Sequence, residues 1–235
     1  MVNPMASNKK ITVLHGTTVH PITRMGERAG CCWNAPTDDP VKNYQRGLDC
    51  LNANHGRVLE FVNVELLIEG YSAKVIREWY THIGGSPTRL QESTRRVDYR
   101  DFSYVTPASI LQNQPAREIW ENTMREIRKA CMLMEFYDAP REDASMILPL
   151  AMSTRIVDKR NLRNLIDMSK NRMCAAAYWE YRELFHDICN ALRDLSDEWA
   201  YIIDHFMHPK CEDLGYCPEK NGCGRKPAKN AEVRA

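Results

Sequence analysis

Between Val62 and Ile68 the chain alternates, with Val62, Val64, Leu66 and Ile68 aliphatic and Asn63 and Glu65 polar. That is the period of a strand with one face in a core. Glu69-Gly70 reads as its end. Ser72 then caps a helix whose apolar face is Val75, Ile76, Trp79 and Tyr80. A half-buried strand feeding directly into an amphipathic helix points to an α+β fold.

The segment that follows, from Arg77 to Tyr99, reads REWYTHIGGSPTRLQESTRRVDY. The helix is predicted to run out at Gly84, which places His82 at its C-terminal end, where a histidine commonly caps free carbonyls. Gly84 and Gly85 free the backbone to approach a ligand. Ser93 offers a hydroxyl, and Arg89, Arg95 and Arg96 offer planar forks suited to phosphate oxygens. The same residues also describe a solvated turn between two elements, and composition does not separate the two readings.

Elsewhere the pattern is coarser. Ile11 to Leu14 is a candidate first strand, and the remainder up to about residue 30 is weakly patterned. Cys31-Cys32-Trp33 reads as buried and structural, because nothing near it would depress a thiol pKa. Asp38-Asp39-Pro40 breaks the chain and can cap the helix that follows, Val41 to Asn52. Val97 to Val105 reads as a second strand closed by Thr106-Pro107. A long amphipathic helix is predicted from about Ala116 to Tyr137, with Trp120, Met124, Ile127, Cys131 and Met134 on one face. A short helix runs from Arg141 to Ile147, and Leu148-Pro149-Leu150 leads into a strand through Val157. Asn161 opens a long helical region to about His208. Its Leu184, Ile188, Leu192, Leu195, Trp199, Ile202 and Phe206 form a core or a subunit interface. Asn161, Arg163 and Arg172 fall in its first turns, where polar groups can serve an anionic or heteroaromatic ligand.

Charge excludes several classes of partner. With 32 basic and 31 acidic residues the net charge is +1, so no global field points to nucleic acid. The basic bias is local, around Arg89 to Arg100, and fits a small anion. No apolar run spans a bilayer and the first residues lack the core of a signal peptide. Nine cysteines are then expected to be reduced thiols of a cytoplasmic protein.

With these segments placed, residues 28 to 195 resemble the flavin-dependent thymidylate synthase family. Three blocks carry the likeness. The first is His55 with Glu60 ahead of the strand and the helix ending in REWYTH. The second is the His82 loop leading to Ser93-Thr94-Arg95, similar to the family signature of Arg-His-Arg, seven residues, Ser, then x-Arg-Tyr. The third is Leu148-Pro149-Leu150, Thr154, NLRNLIDMSKNR from Asn161 to Arg172, and Ala177-Tyr178-Trp179-Glu180. Any one block alone is weak, and the three in order are specific.

The resemblance implies long helices packed on a twisted antiparallel sheet, in a catalytic domain over residues 1–208 followed by a tail over 209–235. It implies reductive methylation of dUMP to dTMP with methylenetetrahydrofolate as carbon donor, NADPH as reductant and FAD as cofactor. It also implies a homotetramer with sites between subunits. Carried over residue by residue, Arg172 is the polarising catalytic residue and also binds dUMP. Glu78, Gln91, Glu92, Ser93, Thr94 and Arg95 bind the nucleotide, while Arg57, Thr81, His82, Ile83, Gln91, Asn161, Arg163 and Asp167 contact FAD. No metal belongs to this site. A helix-surface ion pair with Glu180 or Asp167 is the structural alternative for Arg172.

Departures from the family pattern are local. Thr81 and Ile83 replace the arginines flanking the histidine, and the loop from His82 to Ser93 is about two residues longer. Gln91 replaces a glutamate, Arg96 a tyrosine, and Ser145 an arginine. Arg89 and Arg96 are the candidates to supply the missing charge. Methylation or hydroxymethylation of another uridine nucleotide fits the same residues, as does a non-enzymatic binding protein with a zinc-stabilised tail. In that tail His208, Cys211, Cys217 and Cys223 form a loosely spaced one-histidine, three-cysteine set, and residues after about 224 are expected to be disordered.

Overall fold

The computed structural model describes residues 8–229. Along the chain run β1 (Lys10–Val13), α1 (Pro21–Gly30), α2 (Pro40–Asn52), β2 (Asn63–Ser72), α3 (Ala73–Trp79) and β3 (Thr88–Gln91). Then come α4 (Ala108–Leu111), α5 (Gln114–Phe136), α6 (Arg141–Ala144), β4 (Ser153–Asn161), α7 (Leu162–Arg172), α8 (Trp179–Arg193), α9 (Asp197–Phe206) and α10 (Lys210–Leu214). The strands form a small antiparallel sheet in the order β1-β2-β4-β3, so the fold is α+β.

The chain divides into two compact units. Among the described residues the first holds 8–10, Ile68–Tyr80 and Arg89–Val157; the second holds Ile11–Leu67, Thr81–Thr88 and 158–229. In the first, Tyr99, Phe102, Tyr104, Met124 and Met152 form a buried cluster flanked by Trp120 and Ile127 of α5. In the second, Val62 just ahead of β2, Val64 and Leu66 of β2, Leu162, Leu165 and Met168 of α7, and Leu184, Phe185 and Ile188 of α8 are all fully buried. Of the helical face read as core or interface, Leu184, Ile188, Leu192, Trp199 and Ile202 are core within one chain.

Several sequence expectations need correction. Helix α1 falls in the weakly patterned region. Strand β2 continues past Glu69-Gly70 to Ser72, with Gly70 at φ +77; a Cβ there would lie 2.2 Å from the Asn8 carbonyl oxygen. Residues 97–105 make no strand beyond a single bridge from Tyr104 to Met152, because their aromatic rings are spent on the cluster. Cys31, Cys32 and Trp33 form a 3-10 turn that nothing covers, with Trp33 57% exposed. The helical region from 161 to 208 is made of three helices, α7, α8 and α9. Of the segment expected to be disordered, residues 230–235 lie outside the described residues. Before them, the Cys217 amide donates to the Pro227 carbonyl (2.7 Å), and Lys226 pairs with Glu212 (2.8 Å).

Candidate active site

The second unit's candidate residues gather around α7. Its N-cap is Asn161, whose Oδ1 accepts from the Asn164 amide (2.9 Å). Against that cap lies the loop Thr81–Thr88. Gly85 sits at φ +71, and a Cβ there would fall 2.3 Å from Asn161 Nδ2; one at Gly84 would meet Asn164 Nδ2 at 3.1 Å. The loop backbone can therefore approach the helix start only because these positions lack side chains.

This loop carries His82, which is not a helix cap, because α3 already stops at Trp79. Its Nε2 accepts a hydrogen bond from Arg172 Nε (2.9 Å), so the ring is neutral with its proton on Nδ1. Burial first, then the charges of Arg172 and Arg160, lower the His82 pKa to about 4. Arg172 is the last residue of α7, not part of its first turns. Its guanidinium lies 4.4 Å from the Tyr181 ring centroid, and His82 and Tyr181 meet edge-on at 6.1 Å. Held at Nε by one ring and on its face by another, the guanidinium has a fixed plane. Neither partner was visible in the sequence, since His82 and Tyr181 lie far from Arg172 on opposite sides.

His82 makes stability depend on pH. Below 6.5 the unfolded chain takes up the histidine proton while the folded protein resists it until about 4. Stability therefore falls as pH drops through that window. Urea denaturation across it should show the decline, and His82→Gln should flatten it; an unchanged slope in the variant would refute the assignment.

Beneath the loop lies a fully buried ion pair. Arg160 donates to both carboxylate oxygens of Asp158 (2.6 and 2.7 Å) and to Asn164 Oδ1 (2.6 Å). Arg163 is exposed and pairs with Glu60 (2.7 Å), giving the Glu60 of the first sequence block a partner. Arg57, Thr81, Ile83 and Asp167 are exposed. The donors here, an asparagine amide, guanidinium groups and a neutral imidazole beside a two-glycine stretch of backbone, fit an anionic, heteroaromatic cofactor.

In the first unit, Gln91 of β3 donates to Thr154 Oγ1 (3.4 Å), and the Glu92 amide continues the ladder to Arg155 O (2.9 Å). Burial, then Glu92, push the Tyr99 phenol up to about 12. Ser93 closes a turn: its Oγ accepts from the Arg95 amide (3.3 Å), and its carbonyl accepts from the amides of Arg96 and Val97. Thr94 is half-buried in that turn, and Glu78 lies in the last turn of α3. Arg95 pairs with Glu142 (2.9 Å), and Arg95, Arg96, Arg141, Pro140 and Glu142 line a cleft of about 280 Å³. Arg141 is an addition to the sequence reading. Of the two proposed replacement cations, Arg96 lines this cleft. Arg89 instead donates to Tyr80 O (2.9 Å) and stacks on that ring at 4.6 Å.

The family described as thymidylate synthase complementing protein matches residues 25–196. The chain belongs to that family. Among its relatives, the flavin-dependent thymidylate synthase of Nitratidesulfovibrio vulgaris is 32% identical over 193 residues, covering 77% of this chain and 76% of the relative. That of Thermococcus onnurineus is 31% identical over 173 residues, covering 72% and 70%. A solved structure, the flavin-dependent thymidylate synthase of Helicobacter pylori complexed with FAD and dUMP, aligns with a TM-score of 0.68 at 16% identity. It covers 84% of this family member and 99% of that chain, a likeness of fold. Within the family the alignment reaches past α7 and stops before the tail from Lys210 onward.

Proposed function

We propose that this protein is a flavin-dependent thymidylate synthase. It reductively methylates dUMP to dTMP with methylenetetrahydrofolate as carbon donor, NADPH as electron source and FAD as cofactor. The observation that carries the reading is Arg172 held by His82 and Tyr181 at the end of α7. The names of the relatives support it.

When bound, the flavin supplies hydride to C6 of the uracil. Negative charge then builds on C5 and the carbonyl oxygens, and Arg172 stabilises it from a pre-set plane, so that no reorganisation is needed as the charge develops. Ser93 and Arg95, with Arg96 and Arg141 beside them, bind the nucleotide phosphate, and Gln91, Glu92, Thr94 and Glu78 orient the nucleoside. His82, Asn161, Arg163, Asp167 and Arg57 hold the flavin, joined by backbone groups of Thr81 and Ile83; Gln91 also contacts it. Neutral His82 positions Arg172 by accepting the hydrogen bond from its Nε–H, which a charged imidazole cannot do.

Four copies assemble, with sites between subunits, in the cytoplasm. Helix α5 supports this assembly: Met132, Leu133 and Phe136, neighbours on one face near its C-terminal end, are 50%, 40% and 74% exposed. A surface that apolar on a long helix is typical of a subunit contact.

The test is an absorption spectrum of the purified protein with and without FAD, then with dUMP. A flavin band near about 450 nm that shifts with dUMP is expected. So are dUMP-dependent NADPH oxidation, dTMP as the product by mass spectrometry, and a tetramer by light scattering. Failure to bind FAD under any condition would overturn the reading. A product other than dTMP would redirect it to another uridine nucleotide or to hydroxymethylation, for which Gln91 in place of a glutamate is the specific observation.

A further inference from the structure

The tail contains a thiol cluster that the proposed reaction does not use. Cys211 lies on α10, Cys217 begins the loop that returns to Pro227, and Cys223 lies within that loop. Together with Cys174 they line a cavity of about 130 Å³. Cys174 is two residues past Arg172 and 37 before Cys211 in sequence. His208, the fourth ligand expected from spacing, is taken up elsewhere: it lies 2.6 Å from Asp213 and 3.0 Å from Lys170, and Lys170 itself pairs with Asp213 at 2.7 Å.

We propose that Cys174, Cys211, Cys217 and Cys223 bind one structural zinc ion, which fastens the tail to the chain just beyond Arg172. Four thiolates and no open position are the donor set of a structural zinc site, with Zn–S bonds of about 2.3 Å. Among the described residues no group of three or more His, Cys, Asp or Glu side chains stands where it could hold a metal ion, so zinc binding requires half-buried Cys174 and exposed Cys223 to rotate into the cavity as the thiols release their protons.

A second observation, independent of the cavity, calls for such a staple. From residue 209 to 229, the buried residues are Pro209, Cys211 and Cys217. So little apolar burial does not hold some twenty residues in one conformation; segments this small are fixed by metals or disulfides. Lys210 and Arg225 also line the cavity, each beside a carboxylate, Glu219 at 3.0 Å and Glu212 at 4.0 Å.

The inference does not rest on flavin chemistry, and metal content reads it without activity. The full chain, purified from zinc-supplemented medium under reducing conditions, should contain one zinc per chain. Exchange with cobalt should give thiolate-to-metal charge-transfer and tetrahedral d–d absorption. Cys211→Ser and Cys217→Ser should weaken metal binding by more than the roughly 10–100-fold of an outer-sphere change, while His208→Asn and Cys32→Ser retain it. If the cysteine variants do not fold, the stoichiometry and cobalt spectrum of the unaltered chain decide. Zinc well below one equivalent with no tetrahedral cobalt spectrum, zinc retained in folded cysteine variants, iron with sulfide, or disulfides among these four residues by mass would each overturn it.

Discussion

Arg172→Lys is expected to leave the fold intact and to lower kcat by about 10²–10³-fold, the cost of removing one pre-set donor from developing charge. Lysine keeps the charge but loses the fork, the Nε donor to His82 and the flat face against Tyr181. Its ammonium would sit on a flexible stem, so orientation must be recovered during each turnover. KM for dUMP should rise less than kcat falls, since the interaction matters most once charge has built on the uracil. Steady-state kinetics with flavin-loaded protein provide the measurement. A variant with unchanged kcat would remove Arg172 from the polarising role and leave it a helix-end ion-pair residue.

The largest effect on stability is expected at Asp158. Asp158→Asn strands the Arg160 guanidinium, fully buried with its partner, and should cost about 3–5 kcal/mol. Set against a total of about 5–15 kcal/mol for a typical domain, that removes a large share of the margin. Urea unfolding should show a lowered midpoint with an unchanged m-value. Replacing both partners, Asp158→Leu with Arg160→Met, should recover most of the loss, because no charge is left buried. The double variant should nonetheless be catalytically impaired, since Arg160 also fixes Asn164, against which the His82 loop rests. A cost for Asp158→Asn of less than about 1 kcal/mol, the worth of an exposed pair, would contradict the burial on which the argument rests.

What could be read in advance follows the range over which each signal acts. The alternation from Val62 and the Ser72 cap are local, and both are present: Ser72 Oγ accepts from the Val75 amide at 3.2 Å. Asp39 likewise caps α2, accepting from the amides of Val41 and Lys42, as expected of the Asp38-Asp39-Pro40 stretch. Helix α1 escaped because its buried stripe, Ile22, Met25, Gly26, Ala29 and Gly30, includes two glycines, which lower helical propensity and carry no side chain to mark the period, although Pro21 stands at the helix start, where proline is favoured. The stretch Cys174 to Ala177 contains good helix formers, so nothing local marks the break that separates α7 from α8. Arg182 holds that break by donating to the carbonyls of Ala175 (2.6 Å) and Ala177 (2.7 Å), a contact between positions no pattern links. The same limit hid the partners of Arg172 and the convergence of Cys174 with the tail. Family likeness named the residues around α7, but packing alone revealed which rings hold the arginine.

Helix α7 is in effect a ruler. It carries the Asn161 cap at one end and Arg172 at the other, separated by about 16 Å at 1.5 Å per residue. Both ends are pinned, one against Gly85 and the other against His82, and both pins belong to a single eight-residue loop. A single residue inserted in the helix would swing Arg172 by about 100° and lengthen the span by about 1.5 Å. No adjustment of that short loop could follow both changes. The count of residues between Asn161 and Arg172 is therefore itself a functional quantity, one that substitutions can leave untouched and that a single insertion or deletion would destroy.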